Sequence, residues 1–150
     1  MLRVALLGFA VLFLCGFSVE CNAWHHEPDE AAEVAEAFAF AAFVNDAPAE
    51  ALTMASLHDG ETFTATQLAE VLRQIHPAGH PTSVRATDYQ PTPGYRGMQV
   101  FLEGQSADGE RFYYRFLMEG TADEGYKVRE FYRGTGPYPT GVERKPLTTR

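Results

Sequence analysis

Hydrophobic and polar residues follow two different periods along this chain, and the change falls near residue 83. Upstream of it, Val34, Phe38, Ala41 and Val44 recur at helical spacing, which predicts a helix over residues 29–45 with Pro28-Asp29-Glu30 favouring its start. Phe40 and Phe43 widen its apolar face. A second helix is predicted to begin with Asp46 as N-cap and Pro48 in its first turn, to turn Leu52, Ala55 and Ser56 inward, and to stop at Asp59-Gly60. The third carries the strongest local signature. Thr64 and Gln67 are spaced as a capping box, Phe63 and Leu68 flank them as a hydrophobic staple, and Leu68, Val71, Leu72 and Ile75 form the buried stripe. Pro77 ends it, and a loop runs on to Pro81.

From Ser83 onward the period drops to two, the spacing of a sheet with one buried face. Four strands are predicted, over residues 83–90, 98–104, 110–118 and 126–133. Asp108-Gly109 and Glu124-Gly125 supply hairpin turns, so the strands form an antiparallel meander. On the third strand Phe112, Tyr114, Phe116 and Met118 share the face expected to meet the helices, opposite Arg111, Tyr113, Arg115 and Leu117. Strict alternation adds Val84, Ala86 and Asp88, then Met98, Val100 and Leu102, then Tyr126, Val128, Glu130 and Tyr132 to the inward set. A single bulge would flip part of it. Beyond Arg133 the turn formers carry no period, and residues 134–150 are expected to be a flexible tail.

The opening residues change the picture of where this domain works. Arg3 precedes an apolar run from Val4 to Leu14, and Cys21-Asn22-Ala23 resembles a cleavage site, so residues 1–23 read as a signal peptide. The chain then divides into that leader, a linker over 24–28, a domain over 29–133 and the tail. The expected location is outside the cytoplasm, periplasmic or secreted; the alternative is an anchor formed by residues 2–19 if the leader is retained. Both cysteines, Cys15 and Cys21, lie in the leader, so the processed chain would have no disulfide, thiolate nucleophile or cysteine metal site. With 45% hydrophobic residues and eleven Phe, the remainder is expected to fold around one core. The net charge of −8 opposes nucleic acid and anionic membrane surfaces.

Three helices followed by a curved four-stranded antiparallel sheet make an α+β order. The first helix carries Phe38, Phe40 and Phe43 before Val44-Asn45-Asp46, and the last strand reads Gly125-Tyr126-Lys127-Val128-Arg129-Glu130-Phe131-Tyr132. Over residues 29–133 this resembles the nuclear transport factor 2-like superfamily of cone-shaped folds. The resemblance implies a pocket between sheet and helices. Its members include isomerases, dehydratases, polyketide cyclases and non-catalytic binding or dimerisation modules, so the fold does not choose among them.

Within such a pocket, Asp88 and Glu130 would be carboxylates among apolar neighbours and so candidate bases, with Tyr114 donating to a developing oxyanion and His58 shuttling protons. Against that, Asp88 stands near a strand end before Pro91, and Glu130 can pair with Arg115 or Arg111 if a bulge turns it outward. Tyr114, Phe116 and Tyr132 are candidates for holding a small apolar ligand, although core packing explains the same rings. Arg85, Arg111, Arg115, Lys127 and Arg129 would gather beside Tyr89 and Tyr113 on the outer face, a surface for a homodimer. Trp24-His25-His26 would offer a nitrogen set to Cu(II) or Ni(II) if cleavage follows Ala23, but terminal histidines are usually without a role. His76 and His80 read as polar loop residues. No cofactor and no metal is expected. The function expected is an exported, non-enzymatic binding or dimerisation module; the alternative is a small isomerase or hydrolyase acting on an apolar ligand.

Overall fold

The computed structural model describes residues 24–57, 63–138 and 144–148. Residues 1–23, expected above to be a leader, and His58 and Asp59-Gly60 lie outside them. The architecture is α+β, with helices on one face of an open antiparallel sheet. Helix α1 (Pro28–Ala39) runs into a π-helical turn (Phe40–Val44), followed by α2 (Pro48–Thr53) and α3 (Ala65–Ile75). The strands are β1 (Ser83–Pro91), β2 (Gly97–Gln105), β3 (Arg111–Thr121), β4 (Gly125–Gly134) and β5 (Lys145–Pro146), in the order β4-β3-β2-β1-β5.

Helix α1 lies close to the sheet because the side it buries is built largely of alanine: Ala31, Ala32, Ala35 and Ala39 are 0–1% exposed. Phe38 supplies the bulk, with its ring edge-on to Phe116 at 5.6 Å. An unbroken α-helix would carry Phe43 away from Phe38. The wider π turn, in which the Asn45 amide donates to the Phe40 carbonyl at 3.0 Å, brings Phe43 back beside it and leaves Phe40 half exposed. Asp46 does not cap α2. It takes a left-handed conformation (φ 51°), and Ala47 stands at the N-cap without a side-chain bond. Helix α3 has the expected capping box: the Thr64 hydroxyl accepts from the Gln67 amide at 3.2 Å, and Gln67 Oε1 accepts from the Thr64 amide at 2.8 Å.

The meander follows the predicted hairpins, with Gly109 (φ 89°) and Gly125 (φ 80°) supplying the turn conformations. Two bulges overturn part of the facing pattern. In β1 Thr87 is the extra residue between Ala86, opposite Leu102, and Asp88, opposite Phe101. In β4 Arg129 is the extra residue between Val128, opposite Met118, and Glu130, opposite Leu117. Each insertion shifts the alternation by one. Tyr89, Phe131 and Arg133 therefore join the helix-facing side, and Asp88, Glu130 and Tyr132 leave it. The Ala86 amide at the first bulge donates to Glu36 Oε1 of α1 at 2.7 Å, tying the distortion to the helix layer.

The sheet has five strands rather than four. Strand β5 pairs with β1 through Asp88↔Pro146 and Tyr89↔Lys145, so part of the stretch expected to be a free tail is docked. Two residues, one of them proline, carry no readable period. The residues just before α1 are also engaged: the Ala122 amide donates to the His25 carbonyl at 3.0 Å and the Glu27 amide to the Tyr126 hydroxyl at 2.9 Å. Among the described residues no helix is long and apolar enough to cross a membrane.

Candidate functional site

Two depressions open beside α3, and the core beneath them is aromatic. Phe38 and Phe43 from the helix layer meet Tyr114, Phe116 and Phe131 from β3 and β4; Phe43 lies 4.7 Å from Tyr114 and 6.0 Å from Phe131, centroid to centroid. Each such ring stabilises the fold by about 1.5–3 kcal/mol through burial. The larger depression, an open cleft of about 600 Å³ between α3 and β4, is lined by Leu57, Phe63, Val71, Arg129, Glu130, Phe131 and Tyr132. Its floor is mostly apolar and its rim is charged. Leu57 and Phe63 are the described residues on either side of 58–62.

The smaller depression, about 180 Å³, lies on the other side of α3 and is lined by Ala42, Phe43, Asp46, Leu72, Arg73, His76 and His80. Beneath it, His76 Nε2 is 2.8 Å from the Tyr114 hydroxyl. Burial pushes the His76 pKa from 6.5 down to about 4, with the neighbouring Arg133 and His80 charges adding to the effect. The neutral ring and the Tyr114 hydroxyl thus satisfy each other, and burial raises the Tyr114 pKa well above the ordinary phenol. Arg133 donates to the Ile75 carbonyl at 2.5 Å and sits 4.7 Å over the Phe112 ring, fastening the C-terminal end of α3 to β4.

The residues singled out from sequence are not brought together. Tyr114 is fully buried with its hydroxyl taken by His76. Asp88 is on the opposite face of the sheet, 2.6 Å from Arg144. Glu130 also faces outward and accepts from the Tyr132 hydroxyl at 2.5 Å. Phe116 is part of the solid core, at 0% exposure, and Tyr132 is 46% exposed at the cleft rim with Arg115 stacked 4.9 Å over its ring. Of the three rings proposed to hold a ligand, Tyr132 alone lines the cleft.

No protein-family model, curated protein or solved structure matches this chain. The site therefore has to be read from its own chemistry. Among the described residues no three His, Cys, Asp or Glu side chains converge on a metal-sized space. Ahead of α1, His26 Nδ1 is 3.4 Å from the Tyr126 hydroxyl, and His25 Nε2 is 3.1 Å from Glu27.

The sequence places none of His76, Leu57, Phe63 and Val71 in a site: it reads His76 as a polar loop residue, Phe63 as half of a staple and Val71 as part of the α3 stripe. A signal for His76 existed: it follows Leu72 by four residues, so helical spacing sets it on the buried stripe of Leu68 and Leu72. The cleft had none, because it depends on how far α3 stands from β4.

Proposed function

We propose that this chain is an exported, non-enzymatic module of the nuclear transport factor 2-like cone type. It works by holding a small, largely apolar ligand in the cleft between α3 and β4, and by pairing with a second copy across its outer sheet face. The observation that carries the ligand half is the cleft itself: about 600 Å³, floored by Leu57, Phe63, Val71 and Phe131, with Arg129, Glu130 and Tyr132 on its rim. Apolar lining with a few polar groups at the margin is the composition of small-molecule sites. Binding is favoured over acid–base turnover by the separation of the groups that turnover would need. Asp88 and Tyr114 are on opposite faces of the sheet, Glu130 is engaged by Tyr132, and the Tyr114 hydroxyl is engaged by His76.

A neutral fluorescent ring compound, 1-aminoanthracene, tests this reading. The wild-type protein should give a saturable rise in fluorescence, and Val71→Asp should abolish it with little change in melting temperature, because Val71 lies at the cleft rather than in the sealed core. Equal binding by the variant, or none by the wild type, would refute the cleft as the site.

A further inference from the structure

The smaller depression, on the far side of α3 from the cleft, has a chemistry of its own. It lies where the turn after α1 meets the last turn of α3. At the end of the π turn the Ala47 amide reaches back to the Ala41 carbonyl at 2.8 Å, and Asp46 between them takes the left-handed conformation (φ 51°). Glycine is the usual occupant of such a helix-closing position. An aspartate there carries some backbone strain and fixes a carboxylate at the edge of the depression. Asp46 is exposed and has no ion-pair partner among the described residues.

Arg73 in the last turn of α3 and His76 at its C-cap are three residues apart, the spacing that sets two side chains on one helix face. Arg73 pairs with Glu70 at 2.5 Å and not with Asp46, so opposite charges line one small space without closing on each other. His76 supplies a donor. The Tyr114 hydroxyl is buried and must donate, and His76 Nε2 at 2.8 Å is its acceptor, so the neutral imidazole carries its hydrogen on Nδ1. Among the described residues nothing accepts from that Nδ1, and it is not sealed in the core, so it opens into the depression that His76 lines. Ala42, Phe43 and Leu72 complete the lining with apolar surface. A space of about 180 Å³ is smaller than the roughly 300–1,000 Å³ of sites for drug-sized ligands, so its occupant is small. We propose that this depression binds a small zwitterion of the α-amino-acid class. The carboxylate lies against the Arg73 guanidinium and His76 Nδ1–H, the ammonium against Asp46, and the side chain against Ala42, Phe43 and Leu72. This site does not depend on the cleft between α3 and β4.

Calorimetric titration of the full-length protein at neutral pH with L-leucine tests the site. Two further probes each lack one charge: 4-methylpentanoate has no ammonium and 3-methylbutylamine no carboxylate. L-Leucine should bind saturably, and each single-charge probe about tenfold or more weakly. Asp46→Asn keeps the left-handed turn, which Asn adopts readily. It should weaken leucine about tenfold and leave 4-methylpentanoate unchanged. Arg73→Gln should weaken leucine and 4-methylpentanoate but not 3-methylbutylamine. A purely structural role for either residue would weaken all three probes together. Val71→Asp, on the cleft side of α3, should leave leucine binding intact. No binding of L-leucine, L-alanine or glycine at up to about 10 mM, or equal affinity of wild type and D46N for leucine, would overturn the site. Leucine binding lost in V71D and kept in D46N and R73Q would also overturn it, and would place the amino acid in the cleft instead.

Discussion

Mild acid should loosen the end of α3, because the fold holds His76 neutral. In the unfolded chain this imidazole takes up a proton as the pH falls below about 6.5, whereas in the folded chain it does so only near pH 4. Between those values the unfolded state binds more protons, so its share of stability is complete above 6.5 and is lost as the pH falls toward 4. With each tenfold change in proton affinity worth about 1.4 kcal/mol, the whole shift would be on the order of 3 kcal/mol. The ring is only partly buried, and solvent screening reduces this to roughly 1–2 kcal/mol, or about 4–8 °C in melting temperature for a domain of this size. His76→Gln keeps a hydrogen-bonding group for Tyr114 but does not titrate. Thermal melts followed by circular dichroism at pH 7.5 and 4.5 should show the wild type losing about 4–8 °C more than H76Q. The Asp108 carboxyl, lowered by its Ser106 bond, titrates below this window, and His26, lowered by burial, is controlled with His26→Gln. Equal losses in the wild type and H76Q would refute the reasoning.

Phe38 is fully buried among Phe43, Phe116 and Phe131, so Phe38→Ala should cost about 3–5 kcal/mol and leave a dye-accessible core, measured by urea denaturation. Thr64→Ala removes one half of the α3 capping box and should cost about 1 kcal/mol, with hydrogen exchange accelerated in the first turn of that helix before any change in the sheet.

The elements that were legible from sequence are those set by neighbours along the chain. Thr64 and Gln67 are three residues apart, so their capping box forms whatever surrounds it, and Asp108-Gly109 and Glu124-Gly125 sit at the hairpin turns because glycine reaches φ values closed to other residues. The third strand, free of a bulge along its predicted length, kept its assigned faces throughout. The candidate site fared differently. Asp88 and Glu130 were aligned with the core by strict alternation, and each lies just past an inserted residue, Thr87 or Arg129, that reverses the count.

By itself, then, the sequence determined the two layers, the hairpin connections and the Leu68–Leu72 stripe of α3, since periods of 3.6 and two are properties of local backbone geometry, whereas α2 ends at Thr53, before the Ala55 and Ser56 expected on its inner face. Tertiary structure decided where the bulges fall, that Phe43 swings beneath α3 on a π turn, that His76 meets Tyr114, and that Arg144 returns across the sheet to Asp88. These depend on contacts between residues far apart in the chain. A bulge amide needs a carboxylate such as Glu36 brought to it, and Arg144 needs a face already built to receive it.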